Sequence, residues 1–222
     1  MRYLIDNFST VMGFTRTHLY LALAPLAIGL VIAIPVGALV RRVAWLRRIT
    51  VTVASLAYTV PSLALFVIIP PLVGISTIDP LNVIIALSVY STALLVIAVP
   101  TALDSVAADV IDAADAVGYG PLRRTLTVDM PLAIPVFVAG LRVVVVTNIA
   151  MVSVGALIGV GGLGKLFTQG YQRDYPDEII AGIIVTLALA LIFDRLIFVL
   201  GRLATPWTRA GGGTKKAKGA VA

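Results

Sequence analysis

Five long runs of apolar residues constrain this chain more than any other feature. The first, Leu19 to Val40, reads LYLALAPLAIGLVIAIPVGALV and carries no charge over 22 residues. As a helix it rises about 33 Å, enough to cross the hydrocarbon core of a bilayer. It is too long for the core of a signal peptide, and its positive flank lies on the C-terminal side, so it is expected to be retained. A second run, Ile49 to Ile78, is interrupted at Pro61 and is expected to end at Pro70, Pro71 and Gly74. The third lies in Pro80 to Leu103, and the fourth runs from Pro131 towards Gly155 with Arg142 inside it. The fifth, about Ile179 to Leu200, carries Asp194 and Arg195 near its end. The expected fold is all-α: a polytopic membrane protein of about five transmembrane helices.

Composition agrees. The chain is 59% hydrophobic and 13% charged, with mean hydropathy +1.04, too little charge to cover a water-soluble surface. Without cysteine there is no disulfide or thiolate metal site, and the single histidine, His18, excludes a multi-histidine one. The net charge of +6 points to orientation in the bilayer rather than to nucleic acid. With the N-terminus outside, Arg41, Arg42, Arg47, Arg48, Arg123, Arg124 and the basic residues from Arg195 onward face the cytoplasm. These are twelve of the seventeen Lys and Arg. Residues 1–18 are then an extracytoplasmic segment, 19–204 the membrane domain, and 205–222 a basic cytoplasmic tail expected to be disordered. An odd number of spans does not divide into two equal inverted halves, which counts against a secondary carrier.

The polar interruption at residues 104–131, DSVAADVIDAADAVGYGPLRRTLTVDMP, holds five of the eleven acidic residues. Asp104-Ser105 is expected to cap a short helix. Val106, Val110, Ile111, Ala114 and Val117 form an apolar stripe at helical spacing, opposite Asp109, Asp112 and Asp115. Gly118 is expected to end this helix, Gly120 to help the turn, Pro121 to open a second helix and Pro131 to stop it. A solvated connector needs no stripe, whereas a helix that docks into a partner groove does.

The spacing resembles the EAA loop of permease subunits of binding-protein-dependent ATP-binding-cassette importers. That signature is Glu-Ala-Ala, three residues, Gly, nine residues, then Ile-x-Leu-Pro. Here stand Asp112-Ala113-Ala114, Gly118 and Val128-Asp129-Met130-Pro131. The resemblance runs over roughly Leu19 to Pro206. Tyr58 to Ile75 (YTVPSLALFVIIPPLVGI) and Gly155 to Gly164 (GALIGVGGLG) are similar to segments of osmoprotectant permeases, which carry quaternary amines such as glycine betaine, choline or carnitine.

What the resemblance implies is a type I importer permease fold in a bacterial or archaeal plasma membrane. Asp112, Ala113, Ala114, Gly118, Pro121 and Pro131 would form the coupling segment against a cytoplasmic ATPase present in two copies. A second permease, a copy or a paralogue, and an extracytoplasmic binding protein would complete the assembly. The chain would not itself be an enzyme; ATP and Mg would sit on the ATPase. Gly161, Gly162, Gly164, Gln169 and Arg173 would contribute to binding-protein docking, with the polar stretch Gln169 to Glu178 exposed there.

Other residues leave alternatives open. Arg142 lies 11 residues past Pro131, about 16 Å along a helix. It is either a pore or gating residue or a structural partner of Asp194. Thr147, Asn148 and Ser153 are either interhelical glue or path lining. Pro61 with Ser62 either opens carbonyls towards a pore or makes a packing kink. GVGGLG lacks the Gly-Lys-Ser/Thr end of a phosphate loop and reads as a close-packed outer turn. The alternative functions are a permease for another small solute, such as an amino acid, and a metal-dependent membrane enzyme built on the Asp cluster. The latter lacks the Asp-Gly and Ala-Arg pairs of membrane alcohol phosphotransferases.

Overall fold

The computed structural model describes residues 2–210. The basic tail expected at the C-terminus lies, from residue 211 on, outside the described residues. The helices are α1 (Arg2–Asp6), α2 (Phe8–Arg42), α3 (Ala44–Thr59), α4 (Ser62–Val73), α5 (Pro80–Asp104), α6 (Ala108–Ala116), α7 (Pro121–Arg124), α8 (Met130–Gly155), α9 (Gly164–Gln172), α10 (Pro176–Ala204) and α11 (Trp207–Ala210). Among the described residues four helical segments are long and apolar enough to cross a membrane, and α3 with α4, bent by 100°, passes the same test as a pair, which makes five if the two are one broken span.

The core is organised around α5. Of its most apolar 18-residue stretch 61% is buried, against 6% in α10, which therefore faces outward from the chain. α2 lies along α5 because its contact face is a row of small residues: Gly29, Ala33 and Gly37. A Cβ at Gly29 would sit 2.7 Å from the Cβ of Ser91, and one at Gly37 2.6 Å from that of Val99. Small residues at this spacing let backbones approach where hydrophobic burial gives no driving force between spans. Asn148 on α8 ties the same layer together. Its amide donates to Ala22 O (3.1 Å) and the Ser91 hydroxyl (2.8 Å).

Several expected boundaries move. The helix that carries the first span begins at Phe8, ahead of Leu19, and His18 is buried inside it. Residues ahead of Leu19 also pack: Tyr3 and Val11 share an apolar cluster with Leu163, Leu166 and Ala181. Pro70 and Pro71 do not end the second span; both lie inside α4. Pro70 cannot donate to the carbonyl of Phe66, four residues earlier, and the side-chain amide of Asn82 donates there instead, at 2.8 Å. Gly74, at φ +75, ends the helix. Pro131 does not stop a second cytoplasmic helix either. A π-helical turn over Thr125–Asp129 precedes it, Pro131 falls in the first turn of α8, and the helix runs on into the fourth span.

Candidate functional site

The 104–131 segment forms at the end of the bundle where α2 and α5 finish. Asp104-Ser105 does not cap α6; the N-cap is Ala107, with no side-chain bond. Asp104 instead closes α5 and receives Arg41 Nε at 3.2 Å and Arg47 Nη1 at 2.7 Å. The expected stripe divides. Val106 is buried beside Leu103 and Ala133, with Ile111 packed at the edge, while Val110 and Val117 are exposed. Asp112 and Ala113 are exposed as well. At Gly118 the chain turns with φ +89, and the Tyr119 N–H reaches back to Ala114 O at 3.1 Å. A Cβ on Gly118 would meet nothing within 4 Å.

Pro121 is the first residue of α7, as its missing N–H and fixed φ favour. Arg124 on α7 then joins the two halves of the loop. Its Nη1 lies 2.5 Å from Asp115 Oδ2 and its Nε 3.7 Å from Asp129 Oδ1. Asp129 is fully buried and is held from the other side by Arg41 Nη1 at 2.7 Å. An ion-paired row thus runs from α6 through Asp129 to the ends of α2, α5 and α3. Nothing local in the sequence marks Asp129, an acid within an acidic loop, as buried. Among the described residues no three acidic or histidine side chains converge to hold a metal ion.

Within the spans, Arg142 and Asp194 form the expected pair: Nε to Oδ1 at 2.6 Å and Nη2 to Oδ2 at 2.8 Å. The guanidinium also sits over the Phe198 ring. This two-pronged geometry fixes α8 against α10. Asn148 is glue, as described above, whereas Thr147 and Ser153 are partly buried. Pro61 marks the sharp break of the second span, with Ser62 opening α4.

At the opposite end of the bundle the Gly-rich turn closes around His18. The ring Nε2 lies 2.8 Å from Ile149 O and Nδ1 accepts from Leu163 N–H at 3.2 Å. A carbonyl and an amide as partners fix one neutral tautomer, with the proton on Nε2. Gly162 has φ +98, and a Cβ there would lie 3.2 Å from His18 Nδ1. A Cβ at Gly164 would lie 2.4 Å from Ser153 O. Gly161 is partly covered and Gln169 half-buried.

The stretch from Gln169 is not exposed throughout, because Glu178 is fully buried in the first turn of α10. Arg173 approaches its carboxylate at 3.8 Å. Burial, and next the Glu178 carboxylate, push the Tyr3 phenol up to about 12. Beside them a surface depression of about 450 Å³ is lined by Leu157, Gly159, Lys165, Gln169 and Tyr171.

The family model for the binding-protein-dependent transport system inner membrane component matches residues 26–205. The chain belongs to that family. The permease is 33% identical over 208 residues to the osmoprotectant import permease protein OsmW of Salmonella typhimurium strain LT2. That alignment covers 93% of this chain and 97% of the relative. It is 28% identical over 206 residues to the glycine betaine/carnitine/choline transport system permease protein OpuCB of Bacillus subtilis strain 168, covering 93% and 94%. Its fold is similar to that of a chain from the MetNI methionine ABC transporter, with TM-score 0.73 and 24% identity over 90% of this chain and 96% of that one. The fold and membership implied by the EAA spacing are therefore shown, and the permease is a multi-pass inner-membrane component of a binding-protein-dependent transport system.

Proposed function

We propose that the permease carries a small osmoprotectant of the quaternary-amine class, such as glycine betaine, choline or carnitine. The two relatives named above support that solute class. One observation carries the coupling mechanism: α6 presents exposed Val110, Asp112, Ala113 and Val117, while its Asp115 pairs with Arg124, from which ion pairs lead through Asp129 and Arg41 to the ends of three spans. A cytoplasmic ATPase, one of two that bind ATP and Mg, would take α6 and the Gly118 turn in a surface cleft. Closure of the ATPases would move α6, and the Arg124–Asp129–Arg41 row and the helical continuity into α8 would pass the displacement to the spans. A second permease, copy or paralogue, would complete the solute path, since one chain offers few spans to enclose it. An extracytoplasmic binding protein would dock over the depression beside Gly161, Gly162, Gly164, Gln169 and Arg173. The N-terminus would lie outside and the coupling loop in the cytoplasm, as the Lys and Arg distribution favours.

The test is reconstitution of the permease with its ATPase and binding protein in vesicles. ATP-dependent uptake of a quaternary amine is expected; uptake of an amino acid alone would retire the osmoprotectant assignment. Because the chain has no cysteine, single cysteines at Ser76 and Ser105 report orientation cleanly. An impermeant thiol reagent on intact cells should label position 76 only, and labelling at 105 would reverse the topology.

A further inference from the structure

The α3 helix has two opposite faces. Thr50, Val53, Ala54 and Ala57 turn into a groove against α2 and α5. On the far side, at helical spacing, stand Arg48, Thr52, Ser55 and Thr59, all exposed. Hydroxyls inside a span are poorly placed against lipid and well placed along a polar path. Thr52 and Thr59 satisfy their hydroxyls on the backbone, at Arg48 O (2.9 Å) and Leu56 O (2.7 Å). The Ser55 hydroxyl has no partner among the described residues.

This polar strip ends at the break. Val60 (φ −63, ψ 129) and Pro61 (φ −59, ψ 134) are extended, so the helical ladder cannot continue across them. The last carbonyls of a helix have no donors from its own ladder and carry the negative end of its dipole. Of the carbonyls at this corner, that of Val60 is taken by the Tyr90 hydroxyl. The Tyr58 ring, 38% exposed, is held beside them by an edge-to-face contact with Tyr90 at 5.8 Å. No acidic residue occurs between residues 44 and 78.

A ring face, partial negative charges and hydroxyls, with no carboxylate, suit a cation whose charge is spread over methyl groups and that has no N–H to donate. Broken spans elsewhere place ion and solute sites at such half-helix ends. We propose that Ser55, Tyr58, Thr59 and the carbonyls at the end of α3, other than that of Val60, form a transit site for a quaternary ammonium group within the solute path. The site rests on the quaternary-amine reading above and adds to it the residues that hold the solute between the binding protein and release. Arg48 shares the face but lies about 16 Å along the helix from Thr59, too far to contact a solute held there.

The experiment uses the whole complex in vesicles, with radiolabelled choline, loaded binding protein and simultaneous measurement of ATP hydrolysis. Tyr58→Leu is expected to lower the choline carried per ATP hydrolysed about fivefold to tenfold, the loss of one partly desolvated cation–ring contact. Tyr58→Phe and Tyr58→Trp, which keep the ring, are expected to restore it. Ser55→Ala with Thr59→Val is expected to lower the ratio as well. An unchanged ratio in Tyr58→Leu overturns the transit site alone. So does failure of both aromatic replacements to rescue, since the ring would then matter only for packing. Wild-type complex that takes up no quaternary amine overturns the solute assignment and the site together.

Discussion

Two glycines with nearly the same backbone angle sit at opposite ends of the permease and do opposite things. Gly162 has φ +98 and Gly118 φ +89. At Gly162 the neighbouring space is already full: His18 lies where a Cβ would go, and Gly164 two residues on is tighter still. At Gly118 the space is empty. The Gly162 turn is completed by its own chain through neutral hydrogen bonds and close packing. The Gly118 turn is shaped by its backbone, while its surface is left open. It is joined to the bundle by ion pairs that involve partly exposed groups such as Asp104 and Arg47. One end is built as a fixed joint, and the other is the open surface that the proposed coupling would use.

Changes at the Gly162 end should therefore damage folding, and changes at the Gly118 end should damage the proposed coupling with folding intact. The largest effect is expected from Gly164→Ala, whose Cβ would meet the Ser153 backbone oxygen at 2.4 Å. It should abolish a monodisperse detergent-extracted permease on size exclusion; a normal elution profile would show that the Gly-rich turn yields easily.

Next, His18→Leu leaves the Leu163 N–H and the Ile149 carbonyl without their side-chain partner. A loss of about 2 kcal/mol is expected, read as a lowered unfolding temperature of the purified complex.

At the other end, Gly118→Asn should fold normally, since Asn tolerates a left-handed backbone, and should transport weakly. Gly118→Asp, which adds charge as well as bulk, should nearly abolish ATP-driven uptake at unchanged unfolding temperature. Asp112→Ala should have the smallest effect, removing one exposed polar group and keeping the rest of α6. Normal uptake by Gly118→Asp would erase the contrast between the two ends.

The sequence by itself determined the spans, their approximate order and the family. Apolar length against bilayer thickness leaves little freedom, and Asp112, Gly118 and Pro131 keep a spacing that the folded loop preserves. It also offered Arg142 and Asp194 as a pair, because two lone charges in neighbouring spans need each other. What only the tertiary structure decided are contacts between residues far apart in the chain. His18 meets Ile149, Asn82 takes the carbonyl that Pro70 leaves without a donor, and Asp129 is buried between Arg41 and Arg124. None of these has a local signature, since a lone histidine, an asparagine in a span and an acid in an acidic loop each have many uses. The continuation of the helix through Pro131 was equally hidden. A proline's local preference is to begin or break a helix, and whether a π turn makes room before it depends on what packs around that turn.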